Sequence, residues 1–289
     1  MAGVDEITKV DLNKKLNLFN SFNDDQQKVI RELFFRDQKK VITEVIGSFN
    51  YGVLFPSSFG ACFRSDNGAI EVVDKDLVST NFRFSDNILE VPAQIDLLCR
   101  IIFTKKFNQK GLFKVNTVAD KMKTARTLLY DILEGRVSEE TGIGLFDKNF
   151  DLIDCCELYK LLLRSFNKTV IPLSFIKPII EASKETDLEK KMIASKAIFY
   201  SLPTHNRKIL ESNIFLCYKI CQITHSQENV KEQLDLDGLA IVMMPNLFLE
   251  NENDFEIDSI IQLVSFAKFL FANIFDIMDF DEKYKNANK

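Results

Sequence analysis

The chain has 289 residues, 46% apolar and 27% charged, so it can bury a sizeable core and reads as soluble and globular. No apolar run reaches the roughly 18–20 residues of a bilayer span, and Met1 to Glu6 lack the order of a signal peptide, which points to an intracellular, cytoplasmic protein. A net charge of −5 argues against nucleic acid as a partner, and two histidines (His205, His225) leave little material for imidazole acid–base chemistry.

Residues 1–50 read as a helical extension, docked on the rest or self-associating. Asn23 followed by Asp24, Asp25 and Gln26 suits a capping arrangement with an acidic first turn, after which Val29, Leu33, Val41 and Val45 fit one helical face. Phe34-Phe35 offers a packing anchor, and Lys14-Lys15 and Lys39-Lys40 make too modest a basic face to favour membrane docking. Residues 51–90 read as a linker. Within it, Ala61–Arg64 and Ala69–Val73 flank a Ser65-Asp66-Asn67-Gly68 turn, compatible with a small β-hairpin.

From residue 91 the pattern is helical, with expected helices over 91–106, 118–134, 150–165, 172–184, 187–201, 204–224, 232–243 and 257–277. Pro178 would kink or break the fourth, and Pro172, Pro203 and Pro245 sit near expected helix ends. Val137–Asn149 and Glu250–Asp258 read as acidic or polar loops. Residues 100–126 hold eight basic side chains (Arg100, Lys105, Lys106, Lys110, Lys114, Lys121, Lys123, Arg126) against Asp120 alone, which is either a solvated face or a cationic surface for an anionic partner. Cys62, Cys99, Cys155, Cys156, Cys217 and Cys221 form no CxxC pair and read as buried free thiols. Although Cys217 and Cys221 are four apart, no second tight ligand pair accompanies them, so no metal or cofactor is expected.

Six short motifs occur in order: Val91-Pro92, Gly111-Leu112-Phe113-Lys114-Val115, the Lys160 to Arg164 spacing, Pro172 eight residues later, Leu202-Pro203-Thr204-His205-Asn206, and Leu239-Ala240 leading to Pro245. Together they resemble the RhoGAP domain over its whole length, from about residue 91 to 278. The resemblance implies an all-α, RhoGAP-like helical domain at 91–289, preceded by the helical extension and the linker with its hairpin. It implies a partner too, a Rho-family small GTPase (Rac-, Rho- or Cdc42-like) in its GTP state. The protein would then be an activator acting in trans rather than an enzyme in its own right. Gly111, Phe113, Lys160, Arg164, Glu232 and Pro245 would fall on the GTPase-binding face, and Lys114 on the catalytic arginine-finger position.

The departures from the family pattern bear on activity. Lysine replaces the finger arginine at position 114, Asn116-Thr117 replaces the Ser-Gly that ends the loop, and Glu232-Gln233-Leu234 replaces Asn-Lys-Met. Gly238 stands for the Asn before Leu-Ala, Met244 for the Gly before Pro, and Lys168-Thr169-Val170 for Pro-x-Pro. A finger inserted in trans stabilises charge on the transferring phosphoryl group, worth about 10³–10⁵ in rate, or roughly 4–7 kcal/mol. Lysine keeps the charge and loses the planar fork, so the expectation is attenuated stimulation. Two alternatives stand beside it. Lys114 is an ordinary loop cation, or the chain is a non-catalytic module that binds a GTPase without accelerating turnover.

Overall fold

The computed structural model describes residues 10–47, 77–166, 169–226, 232–249, 255–280 and 284, so the hairpin expected over Ala61–Val73, with Cys62, lies outside the described residues. Eleven α-helices are described: α1 Asp24–Ile46, α2 Ala93–Thr104, α3 Ala119–Leu133, α4 Glu139–Asn149, α5 Leu152–Arg164, α6 Ile176–Lys184, α7 Leu188–Ser201, α8 Thr204–Ser226, α9 Leu236–Phe248, α10 Ile257–Ala272 and α11 Ile274–Met278. The described strands are β1 Leu77–Thr80 and β2 Leu89–Pro92, paired antiparallel with Val78 opposite Val91. The motif dipeptide Val91-Pro92 therefore ends a strand, and Pro92 serves as the N-cap of α2.

Local chemistry explains most helix starts. Asn23 and Gln26 form the expected reciprocal cap, Gln26 N donating to Asn23 Oδ1 at 2.9 Å and Asn23 N to Gln26 Oε1 at 3.2 Å. Asp151 and Asp154 cap α5 the same way, at 2.9 and 2.8 Å. A 3₁₀ turn, Leu173–Phe175, follows Pro172 and leads into α6, so Pro178 falls in the first helical turn, where its missing N–H costs nothing.

Several expectations are corrected. The N-terminal segment is helical from Asp24; among the described residues before it, helical structure is limited to a short 3₁₀ turn, Phe19–Ser21. The buried face of α1 is Gln27, Ile30, Phe34, Ile42 and Ile46; Val29, Leu33, Val41 and Val45 lie on its half-buried shoulder. Residues 139–149, read as loop, form α4, because Ser138 accepts from Thr141 N at 3.3 Å and Glu139 and Glu140 follow at its N-terminus. A Cβ on Gly142 would lie 2.3 Å from Ile132 Cδ1, so that glycine serves helix packing. Helix α9 starts at Leu236 and runs through Pro245. The missing proline N–H orphans only the carbonyl of Ile241, a residue 42% exposed whose carbonyl water can satisfy. The helix expected over 257–277 is interrupted at Asn273, whose Nδ2 donates to Phe269 O at 2.8 Å.

The elements form a helical bundle around one continuous core. α1 lies along α6 and α7; α10 packs on α6 and α9; α5 sits centrally against α2, α3 and α9. Phe34 of α1 meets Tyr200 of α7 edge to face at 5.2 Å. Asn206 of the Leu-Pro-x-x-Asn motif is buried and donates to Val170 O at 2.9 Å, pinning the chain that leaves α5. No helix of the described residues is long and apolar enough to cross a membrane.

Candidate functional site

The loop joining α2 to α3 is held at several points. Lys105, its side chain only 5% exposed, donates to Phe146 O at 2.7 Å and Phe150 O at 2.9 Å. Gln109 Oε1 accepts from Ile153 N at 3.3 Å, at the start of α5. Further on, Leu112 and Phe113 are buried in the core, and the Phe113 backbone N–H is directed at the Cys156 thiol on α5.

The tip is a compact left-handed turn. Gly111 has φ +80° and Phe113 φ +62°, while Lys114 N and Val115 N both donate to Gly111 O, at 2.9 and 3.1 Å. A Cβ on Gly111 would sit 2.6 Å from Val115 Cγ2, so the position requires glycine on two counts. A phenylalanine in this conformation costs on the order of 1–2 kcal/mol, which burial of its ring, about 1.5–3 kcal/mol, offsets. With Leu112 and Phe113 directed inward, the Lys114 side chain projects outward, 46% exposed.

Facing this tip is Glu232, just before α9. Its Oε2 accepts from Gly111 N at 2.6 Å and its Oε1 from Lys114 Nζ at 2.8 Å. Lys114 first, then the Gly111 N–H, hold the Glu232 carboxyl below its ordinary range, with Lys110 contributing at longer reach. The segment that places Glu232 is anchored by Leu234 N donating to Thr224 Oγ1 at 3.2 Å. It is also anchored by Asp235, whose Oδ1 accepts from Gly238 N at 2.6 Å and caps α9. A Cβ at Gly238 would approach that Oδ1 to 2.9 Å.

Of the residues singled out in the sequence, Gly111, Lys114 and Glu232 are in direct contact, and Phe113 fastens their turn to α5. Lys160, one turn beyond Cys156 on α5, is buried and paired with Glu157 at 2.7 Å. Arg164 lies exposed in the last turn of the same helix, and Pro245 is half-buried in α9. Four of the eight cations in the stretch meet acidic or carbonyl partners. Arg100 pairs with Asp96 at 2.8 Å and with Glu139, Lys121 pairs with Asp154, Lys105 is buried on carbonyls, and Lys114 is on Glu232. Neither the Lys114–Glu232 nor the Lys121–Asp154 pairing is visible in local sequence, because each joins residues far apart in the chain.

The RhoGAP domain model matches residues 92–252, more than half of the chain. The chain belongs to the RhoGAP domain family. The matched RhoGAP span starts at the N-cap of α2, contains the α2–α3 loop, α5 and Glu232, and passes the end of α9. Mouse (Mus musculus) oligophrenin-1 is 24% identical over 152 residues, 53% of this chain and 18% of that protein; human (Homo sapiens) oligophrenin-1 is 24% identical over 153 residues, with the same shares. The chain thus spans less than a fifth of the length of those relatives. Among solved structures, human Rho GTPase activating protein 15 superposes with a TM-score of 0.50 and 18% identity, covering 65% of this chain and 84% of that one, which supports the fold. The BH domain of GRAF, the GTPase regulator associated with focal adhesion kinase, gives 0.48 and 19%, over 64% and 92%.

Proposed function

We propose that this RhoGAP domain binds a Rho-family GTPase in its GTP-bound state and stimulates GTP hydrolysis in trans, with Lys114 in the finger role and stimulation attenuated relative to an arginine finger. The observation that carries this is the finger turn itself. Gly111 and Phe113 adopt left-handed conformations, Phe113 is buried, and the Lys114 side chain projects at the tip. Chemically, Lys114 neutralises developing phosphoryl charge as a point cation. It lacks the fork that bridges a phosphate oxygen and a backbone group, and its ammonium is more strongly hydrated than a guanidinium. Lys160 and Glu157 stiffen the α5 turn behind the loop, and exposed Arg164 at the end of α5 is assigned to the GTPase-facing surface. The GTPase supplies the nucleotide site and the attacking water.

The test is single-turnover GTP hydrolysis by a panel of Rho-family GTPases with wild type, Lys114→Arg and Lys114→Ala. Acceleration by wild type that disappears in Lys114→Ala supports the finger role. A second reading, a binding module without rate effect, is favoured by one observation, that Lys114 is already engaged by Glu232. It predicts GTPase binding that survives Lys114→Ala with no stimulation by any of the three proteins.

A further inference from the structure

Glu232 grips the finger turn at both ends. One carboxylate oxygen takes the Gly111 N–H at 2.6 Å, and the other takes the Lys114 ammonium at 2.8 Å. The two contacts differ in what they demand of the residue. Accepting from Gly111 N needs only an oxygen, which an amide supplies; holding the ammonium gains from the negative charge. Glu232 sits outside α9 on a segment tied down by Leu234 to Thr224 and by the Asp235 cap, so its placement is a property of the folded body.

Resting on the reading of Lys114 as the finger, we propose that Glu232 is a tethered competitor for the Lys114 ammonium, a positioning residue that engages the finger in the partner-free protein and must be displaced by nucleotide phosphate before Lys114 can act. The magnitudes define a bias rather than a lock. The Lys114 side chain is 46% exposed and that of Glu232 26%, so the pair is screened and its loss corresponds to about a 2- to 5-fold change in an equilibrium. A nucleotide triphosphate carries several negative charges, enough to win that competition once docked. Glu232 is not stranded when Lys114 leaves, since it keeps the Gly111 N–H and the nearby Lys110 charge. The arrangement also makes the two departures from the family pattern interdependent, a lysine where arginine is usual and a carboxylate where an amide is usual, joined by one ion pair.

Two measurements test this together. Without any partner, the Glu232 carboxyl is followed by carbon-detected NMR from pH 7 to pH 4 in wild type and Lys114→Ala. The expected result is that its titration midpoint rises by about 0.3–0.7 pH unit on removing Lys114. An unchanged midpoint overturns the proposal. The second arm is single-turnover hydrolysis with Glu232→Gln, which keeps an acceptor for Gly111 N and removes the charge. At subsaturating concentrations of this protein the rate is expected to rise about 2- to 5-fold, and the gain to vanish in the Lys114→Ala/Glu232→Gln double variant. A gain that persists without Lys114 overturns the proposal, because Glu232 would then act through something else. If the NMR midpoint moves but no variant stimulates any GTPase, the pairing stands and the activator reading falls.

Discussion

Arg207 and Asn20, separated by 187 residues, are joined in the core by a 2.8 Å hydrogen bond from Arg207 Nε to Asn20 Oδ1. The guanidinium is completely buried; it also donates to Leu202 O at 2.5 Å and to Gln27 Oε1, and lies 4.9 Å from the centre of the Phe19 ring. One turn along α8, buried Glu211 accepts from Asn20 Nδ2, Phe84 N, Ser85 N and Ser85 Oγ at 2.7–2.9 Å. Burial pushes the Glu211 carboxyl up, and these donors hold it down. Removing the arginine strands three buried acceptors, Asn20 Oδ1, Gln27 Oε1 and Leu202 O, each costing about 1–3 kcal/mol. Arg207→Met is therefore expected to cost about 3–5 kcal/mol and to lower the melting temperature by about 10 °C, measured by thermal unfolding.

Because Asn20 and Gln27 belong to that network and Phe34, Ile42 and Ile46 are buried, the N-terminal segment is a structural part of the body. Deletion of residues 1–47 is expected to lower the melting temperature and cooperativity of the remaining chain, read by circular dichroism and calorimetry. Retention of the full-length melt would refute this. The same deletion followed by light scattering asks whether the segment contributes to self-association.

The finger turn predicts a sharp effect at Gly111. Gly111→Ala places a Cβ 2.6 Å from Val115 Cγ2 at φ +80°. The local cost is about 1–2 kcal/mol, small against global stability but large for the placement of Lys114. Stimulation of GTP hydrolysis is expected to fall to the level of Lys114→Ala while the melting temperature drops by only a few degrees. A variant that keeps wild-type stimulation would show that the turn does not set the lysine.

Acid dependence follows from carboxyls held low. Glu232 is depressed by Lys114 and Glu139 by Arg100. A carboxyl whose folded value lies below its unfolded one contributes stability that is present above the unfolded value, about 4.3, and is lost as pH falls through the folded value. Both pairs are substantially exposed, so each is worth less than about 1 kcal/mol. Melting temperature is expected to be insensitive to these pairs between pH 6 and 8, and Glu139→Gln to matter less at pH 3.5 than at pH 7.

Cys99, Cys155, Cys156, Cys217 and Cys221 are all buried, and burial raises each thiol, Cys155 to about 12. Little thiolate exists near neutrality, so these five are expected to react with a colorimetric disulfide reagent at pH 8 only at the rate of unfolding. Fast modification of any of them, located by mass spectrometry, would contradict the packing of the core.

Sequence by itself determined what depends on short spacing. The Asn23–Gln26 cap, the phases of most helices after residue 93 and the residues within each of the six motifs are set by short spacing, where propensity and periodicity act. It fell short wherever a second segment decided the outcome. Residues 139–149 read as an acidic or polar loop, whereas they form a helix packed through Gly142 on Ile132 of the neighbouring helix. Which positions of α1 are buried, Ile30, Phe34, Ile42 and Ile46 beside the half-buried Val29, Leu33, Val41 and Val45, is chosen by α6 and α7, not by α1. Above all, the state of Lys114 was decided only by tertiary structure. Glu232 is 118 residues away, and whether that carboxylate meets the lysine depends on how the α2–α3 loop and the start of α9 are packed together, which no local pattern encodes.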